Sequence, residues 1–142
     1  MPLENFGSIL NFAEDLERQD MTFYNAAAAN PACADYKNMF EQFAAEAKKN
    51  ITTVQRTRRE NVTEMILEPI KDFSGEPFCE ECEGAGLMSA ADALDTSRKL
   101  EDRAERYYSQ AAEKIKALPE VARALKAIGK KHSAHLGKLA EL

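Results

Sequence analysis

Apolar residues recur along this chain with the three- and four-residue spacing of amphipathic α-helices. The strict alternation of apolar and polar residues that marks a β-strand is nearly absent, and alanine, glutamate, lysine and leucine dominate the composition. Both observations predict an all-α fold. The pattern indicates four helices, with the bounds Asn5 or Ser8 to Ala29, Ala34 or Asp35 into the sixties, Ser89 to Ala117, and Pro119 towards the end of the sequence.

Proline and glycine residues divide the helical segments. Pro31 is expected to end the first helix and Pro69 the second, because the residue before a proline is pushed out of the helical region. Residues 69–86 contain three glycines and two prolines, as in an irregular connection. Only short turns remain between the first and second helices and between the third and fourth.

The long connection decides how the helices assemble. Its roughly 17 residues reach up to about 55 Å when extended, whereas a helix of about 25 residues is about 37 Å long. The connection is therefore long enough to return along a whole bundle. We predict a four-helix bundle in which two helical hairpins are joined by a long crossover.

A sequence repeat relates the two predicted hairpins. The stretch of 13 residues that begins at Leu16 recurs, with substitutions, 84 positions later. In both copies a glutamate lies seven residues before a tyrosine, Glu17 before Tyr24 and Glu101 before Tyr108. Seven residues are about two helical turns, so each glutamate shares a largely apolar face with its tyrosine. The repeat predicts a pseudo-twofold scaffold and makes the two glutamates a candidate site.

Composition limits the classes of protein to which the chain can belong. Its 142 residues, 44% hydrophobic and 30% charged, have the profile of one globular domain spanning residues 1–142. No apolar run approaches the roughly 20 residues of a membrane span, and the N-terminal residues lack the pattern of a secretory signal. A cytoplasmic protein is expected. The net charge of −5, without a basic cluster, argues against a nucleic-acid partner.

The Glu-x6-Tyr motif in the first and third helices, set in two hairpins, resembles the ferritin-like superfamily and most closely its rubrerythrin-like branch. In that family each hairpin contributes one glutamate from its first helix and a Glu-x-x-His pair from its second. Together these side chains hold two iron ions in the bundle core. The resemblance implies that Glu17 and Glu101 are metal ligands.

The second helices depart from this family pattern. The positions of the paired ligands are Ala47 and Asn50 in the first half and His132 and His135 in the second. Alanine has no donor atom and an asparagine amide is a weak iron ligand, so a two-iron centre is not expected. The two histidines lie one turn apart on the same helix face. We predict a site for one Fe, Mn or Zn ion, formed by Glu17, Glu101, His132 and His135.

The resemblance implies a redox function for such a site. A ferritin-like, rubrerythrin-like oxidoreductase would oxidise iron or process peroxide or dioxygen. No second Cys-x-x-Cys pair accompanies Cys79 and Cys82, so the rubredoxin-type module of full rubrerythrins is missing. An external electron donor is therefore expected, and so is a homodimer.

Less specific interpretations stay open for the same residues. A helical glutamate most often faces solvent or a basic neighbour, and a histidine on an apolar face is often a hydrogen-bonded structural residue. Tyr24 and Tyr108 fit core aromatics whose hydroxyls bond near the site. The alternative function is a metal-free, degenerate bundle that dimerises or binds a partner protein. Ala47 and Asn50 favour this alternative.

The three cysteines offer a third hypothesis. Their odd number argues against a disulfide framework, so Cys33, Cys79 and Cys82 are expected to be reduced thiols. The Cys79–Cys82 pair lies in the crossover. There it fits a redox switch, half of a metal site shared across a dimer, or two loop thiols without function.

Overall fold

The computed structural model of this chain describes residues 2–61 and 70–142. It contains four long helices: α1 Phe6–Ala29, α2 Lys37–Glu60, α3 Ala90–Lys114 and α4 Pro119–Ala140. Within the described ranges there is no β-strand, and the extended backbone forms a single isolated bridge, between Pro2 and Ser74. The all-α prediction is confirmed. No helix in these ranges is both long and apolar enough to cross a membrane.

Side-chain caps explain where α1 begins and ends. The Asn5 side chain accepts a hydrogen bond from the backbone N–H of Ser8 at 2.8 Å, and Ser8 Oγ accepts one from the backbone N–H of Asn5 at 3.2 Å. This reciprocal box satisfies N–H groups that the first turn leaves unpaired. At the other end Asn30, which precedes Pro31, has the extended backbone angles φ −79° and ψ 119°. Both predicted ends of α1 are confirmed.

The second helix starts later than predicted. Residues Pro31–Tyr36 form a 3₁₀ helix, so α2 begins at Lys37 instead of Ala34 or Asp35. Proline is well tolerated in the first turn of a helix, which explains why the chain resumes helical geometry directly after Asn30. The predicted end of this helix, at Glu68-Pro69, lies outside the described residues.

The third helix ends earlier than predicted. Its last residue is Lys114, three positions before Ala117. Leu118, which precedes Pro119, has the non-helical angles φ −109° and ψ 85°. Because a proline disfavours helical geometry in the residue before it, the chain turns here and α4 starts at Pro119.

Helix packing confirms the four-helix bundle of two hairpins. Helix α1 packs mainly against α2, and α3 mainly against α4, with fewer contacts between α1 and α3 and between α2 and α4. Two apolar clusters fill the core, one containing Leu16 and the other containing Phe23. Glu17 and Asp20 lie on α1 between these positions and are fully buried. A buried polar layer therefore separates the two apolar clusters.

The described part of the crossover packs against the bundle. The backbone N–H of Leu3 donates to Phe73 O at 2.9 Å, and that of Ile70 donates to Glu4 O at 2.8 Å. The rings of Phe73 and Phe78 are buried in the apolar cluster that contains Leu16. Two 3₁₀ turns follow, Glu76–Phe78 and Ala85–Leu87. The crossover is thus part of the folded core.

Candidate metal centre

The structure brings the four predicted site residues together in the polar layer. Glu17 comes from α1, Glu101 from α3, and His132 and His135 from α4. Their relative exposures are 0%, 1%, 2% and 3%, so neither glutamate turns to solvent. Each carboxylate contacts at least one of the two imidazoles. The expected convergence is observed, whereas metal binding by these residues stays a prediction.

Glu17 is held by three side chains from three helices. The Asn50 amide of α2 donates a hydrogen bond to Oε1 at 3.0 Å, and the Tyr108 hydroxyl of α3 donates to Oε2 at 2.7 Å. The third partner is Nε2 of His132, 2.8 Å from Oε2. Three polar contacts offset the cost of burying this carboxylate.

Glu101 is also held by three side chains: Tyr24 and His135, which the repeat makes equivalent to Tyr108 and Asn50, and His132. The Tyr24 hydroxyl of α1 donates to Oε1 at 2.7 Å, and Nδ1 of His135 lies 3.0 Å from the same oxygen. Nδ1 of His132 lies 2.5 Å from Oε2. Each tyrosine of the repeat therefore binds the glutamate of the opposite copy and not its own.

His132 lies at the centre of this arrangement because its two ring nitrogens contact the two glutamates. Burial lowers the pKa of His132, but the negative charges of Glu17 and Glu101 outweigh it and raise that pKa well above 6.5. Burial likewise raises the pKa of Glu101, and the His132 charge with the hydrogen bonds of both histidines lowers it to about 2. In the metal-free protein, His132 is thus an imidazolium between two carboxylates.

Gly129 allows α4 to approach the polar layer closely. A Cβ atom at this position would lie 3.1 Å from Cβ of Tyr108, tighter than ordinary carbon contacts. The absence of a side chain lets α4 pack directly on α3, one turn before His132. The ring of Tyr108 then stacks on His132, with centroids 5.6 Å apart.

Asp20 belongs to this layer, and sequence reasoning did not nominate it. Its Oδ1 accepts a hydrogen bond from Arg103 at 2.9 Å, and both side chains are nearly inaccessible, at 1% and 2%. Arg103 also donates to Gln19 Oε1 at 2.8 Å and to Phe78 O at 3.0 Å. Burial, with the nearby Glu17 and Glu101 charges, raises the pKa of Asp20 to about 8 although Arg103 lowers it.

A sequence signal for Asp20 existed. The aspartate lies three residues after Glu17 in the largely apolar stripe of α1, where an acid needs a buried partner. Arg103 supplies that partner from the position that the repeat makes equivalent to Gln19. The pairing itself joins residues 83 positions apart, so only the packed helices reveal it.

Glu46 of α2 is the second residue that sequence reasoning missed. Its carboxylate contacts Nε2 of His135, and 31% of its side chain is exposed. Glu46 precedes Ala47, the position predicted to face the site, and so lay outside the expected helix face. The Phe43 ring stacks on His135 with a centroid distance of 3.8 Å, which orients the imidazole between Glu46 and Glu101.

The donor atoms of the polar layer fit a metal cation. They form two groups, Glu101 with His132 and His135, and Glu17 with Asp20 and His132, and within each group the donor atoms lie within 4.8 Å of one another. Ligand atoms about 2.0–2.2 Å from one ion lie at most about 4.4 Å from one another, so small side-chain movements would bring the atoms of either group onto one ion. The raised pKa of Asp20 favours its protonated form, but a cation that displaces this proton would meet three carboxylates and one Arg103, and a divalent ion would balance their two net negative charges when the imidazoles are neutral. The residues present therefore suit the metal that the fold implies.

The cysteines lie outside this layer. Within the described ranges Cys33, Cys79 and Cys82 are free thiols, as expected, with Cys79 exposed and the other two buried. Burial raises the pKa of Cys82. Gln19 ties the crossover to α1, because its side-chain amide donates to Glu80 O at 3.0 Å. The redox-switch hypothesis for the pair stays a prediction.

Comparison with known proteins supports the resemblance at the level of the fold family. A family model described as the ferritin-like domain matches residues 7–142, which include all four helices and the whole polar layer. Among curated proteins and among solved structures, none matches the sequence significantly. The match is to the family as a whole and does not distinguish its branches.

Proposed function

This chain belongs to the ferritin-like domain family, and on that premise we propose that its polar layer binds one divalent metal ion through Glu17, Glu101, His132 and His135. The observation that carries the proposal is the convergence of two carboxylates and two imidazoles, from three helices, in one buried layer. Carboxylates and imidazoles are rarely buried together unless they are hydrogen-bonded to one another or bound to a metal.

The donor set favours iron, with manganese next. Two imidazoles and a carboxylate are the ligands of many non-haem iron sites that keep open positions, whereas zinc is most often held in a closed tetrahedral site. His132, His135 and Glu101 supply this combination, and their donor atoms form one compact group. Glu17 adds a second carboxylate, which suits the oxygen preference of manganese as well.

We place the chemistry in the rubrerythrin-like branch, on the strength of the repeated Glu-x6-Tyr motif. Bound iron or manganese would supply electrons for the reduction of peroxide or dioxygen. Residues 1–142 hold only three cysteines, fewer than the four thiolates of a rubredoxin-type iron site, so the electrons would return from a donor outside these residues.

Neighbouring residues of the chain would hold the ligands of such a site in place. The Tyr24 and Tyr108 hydroxyls orient the two carboxylates, and Phe43 orients His135 by stacking. Glu46 is the partly exposed group in contact with the buried histidines, so it can pass a proton between solvent and His135. The apolar clusters on either side of the layer exclude water.

A second candidate function rests on a different observation. The His132 imidazolium satisfies both glutamates without a metal, so the layer is also consistent with a purely structural role. The protein would then be a metal-free bundle that forms a homodimer or binds a partner. Leu87, a 94% exposed apolar side chain on the crossover, would be a contact in such an assembly.

Metal analysis separates the two functions. Protein produced in medium supplied with iron, manganese and zinc should retain about one ion per chain, and chelation should lower its melting temperature. His132→Gln should abolish both effects, whereas Ser97→Ala, which removes only a hydroxyl bonded to Tyr24, should leave metal content unchanged. Less than about 0.1 ion per chain would overturn the metal-binding function and favour the structural one.

A further inference from the structure

One carboxylate oxygen of the polar layer has no hydrogen-bond partner among the described residues. It is Oδ2 of Asp20, on a side chain that is 1% exposed. The other oxygen, Oδ1, is occupied by Arg103 at 2.9 Å. A buried acceptor without a partner destabilises a folded protein, so folded proteins seldom retain one unless it binds a ligand, an ion or a water molecule.

The Asp20 carboxylate, which carries this oxygen, lies among other groups that can ligate a metal. Donor atoms of Asp20, Glu17 and His132 all lie within 4.8 Å of one another, and all three residues are buried. Glu17 presents Oε2 to Nε2 of His132 at 2.8 Å. The other nitrogen of the same ring, Nδ1, faces Glu101. The two ring nitrogens of His132 thus belong to two different groups of possible metal ligands.

We infer that Asp20 is a metal ligand, and that with Glu17 and Nε2 of His132 it forms a second position for the divalent ion. The first position, formed by Glu101, His135 and Nδ1 of His132, contains three of the four ligands of the proposed function. The fourth, Glu17, belongs to the second position, and this inference rests on the proposed function. The second position is formed by three residues of which one, Asp20, was not expected to be a ligand.

The distribution of ligands between the hairpins supports this assignment independently. In the first hairpin, α2 offers Ala47 and Asn50 where α4 offers histidines. The same hairpin carries an additional acid on α1, since Asp20 is equivalent to Ala104 by the 84-residue offset. The half that lacks imidazole ligands therefore has a carboxylate that the other half lacks.

The two positions share His132 and so exclude one another for a divalent ion. A neutral imidazole keeps a proton on one nitrogen and offers a lone pair on the other, so it binds one ion at a time. Arg103 and a single divalent ion also balance the charges of the three buried carboxylates. We expect one ion per chain, distributed between the two positions.

Titration with Co²⁺ alone, followed by its visible absorbance, tests this inference in four proteins: the unsubstituted chain, Asp20→Asn, His135→Gln and the double variant. Asparagine keeps an oxygen for the Arg103 hydrogen bond, which favours folding, and circular dichroism checks it. Each single variant should still bind one ion at the position it retains, with Kd raised about twofold if the two positions are equally occupied. The double variant, which disrupts both positions, should be weakened about 100-fold. Ser97→Ala serves as the matched control and should bind as the unsubstituted chain does.

The possible failures are distinguishable. If Asp20→Asn changes Kd neither alone nor in the His135→Gln background, while the unsubstituted chain binds Co²⁺, the inference is wrong and the proposed function stands. If the unsubstituted chain binds no Co²⁺, both are wrong. An anomalous difference map at the cobalt edge should show the ion beside Asp20 in His135→Gln and beside His135 in Asp20→Asn. Density in one identical place in both variants would overturn the second position.

Discussion

The two hairpins of this bundle surround their glutamates in the same way and yet carry different chemistry. Glu17 is held by Asn50 of its own hairpin and Tyr108 of the other. Glu101 is held by His135 of its own hairpin and Tyr24 of the other. The pattern of helix, partner and distance is nearly identical in the two halves.

The difference lies in residues that have no polar counterpart. His132 is equivalent to Ala47, and its ring contacts both glutamates. Asp20 is equivalent to Ala104, and its partner Arg103 is equivalent to the uncharged Gln19. A duplicated backbone thus conserves where side chains meet, whereas single substitutions decide which charges and ligands meet there.

Removal of Arg103 should have the largest effect on stability of the substitutions considered. Arg103→Met leaves the buried Asp20 without its cation and should lower the free energy of unfolding by about 3 kcal/mol. The repeat-equivalent change, Gln19→Met, removes one hydrogen bond from the Arg103 guanidinium and one to Glu80 O but leaves the Asp20–Arg103 pair in place, and should cost about 1.5 kcal/mol. Urea denaturation of both variants measures the difference. Equal costs would show that the ion pair contributes no more than an ordinary hydrogen bond.

The two tyrosines should behave alike. Tyr24→Phe and Tyr108→Phe each remove one buried hydrogen bond to a carboxylate, at 2.7 Å in both cases. Because Tyr24 also bonds Ser97 Oγ at 2.9 Å, Tyr24→Phe is made in the Ser97→Ala background and compared with Ser97→Ala alone. Hydrogen bonds to charged groups contribute about 1.5–3 kcal/mol, so each variant should be destabilised by about 2 kcal/mol. Thermal unfolding of chelator-treated protein tests this. A difference above about 1 kcal/mol between the two variants would mean that the tyrosine hydrogen bonds to Glu17 and to Glu101 do not contribute equally to stability.

The pH dependence of the metal-free protein should report on His132, the residue without a polar counterpart. A histidine whose folded pKa lies well above 6.5 stabilises the fold fully below pH 6.5, and that contribution is lost as the pH rises through the folded value. Glu101, with its pKa lowered to about 2, stabilises the fold above pH 4.5 and loses this contribution as the pH falls towards 2.

The melting temperature of chelated protein should therefore fall on both sides of a mildly acidic optimum. Between pH 6.5 and 9 the alkaline side reports on His132 and also on Asp20, whose pKa is raised to about 8 and whose contribution is lost as the pH rises to that value. The comparison with His132→Gln isolates the histidine contribution. His132→Gln should flatten that side relative to the unsubstituted chain, while Ser97→Ala should keep it. An unchanged alkaline slope in His132→Gln would exclude the imidazolium as its source.

The smallest expected effect is a difference in alkylation rate between two cysteines of the crossover, a segment that the repeat does not include. Cys79 is exposed, whereas Cys82 is buried and its pKa is raised by that burial. Because the thiolate is the reactive form, Cys82 should be alkylated more slowly than Cys79 near neutral pH, and its rate should increase at higher pH. Mass spectrometry after timed alkylation measures both rates. Equal rates would indicate that the crossover opens readily from the bundle.

Helical periodicity and repetition were enough to predict the four helices, the pairing into hairpins and the two glutamates of the centre, whereas His132 and His135 were predicted from the resemblance to the ferritin-like ligand pattern. Periodicity is a local property of the sequence. The repeat, with its offset of 84 positions, shows that Glu17 and Glu101 are equivalent, and this does not depend on how the helices pack. The end of α1 before Pro31 and the start of α4 at Pro119 followed from local sterics, whereas the 3₁₀ segment Pro31–Tyr36 delayed the start of α2.

The partners of those residues required the packed bundle. Arg103 meets Asp20, and Glu46 meets His135, across separations of 83 and 89 positions. Such contacts depend on how far each helix is rotated about its axis and how closely neighbouring helices approach, which no local pattern encodes. The sequence therefore contained the donor groups of this centre, while helix packing determined which of them face one another and which carboxylate oxygen, Oδ2 of Asp20, has no hydrogen-bond partner among the described residues.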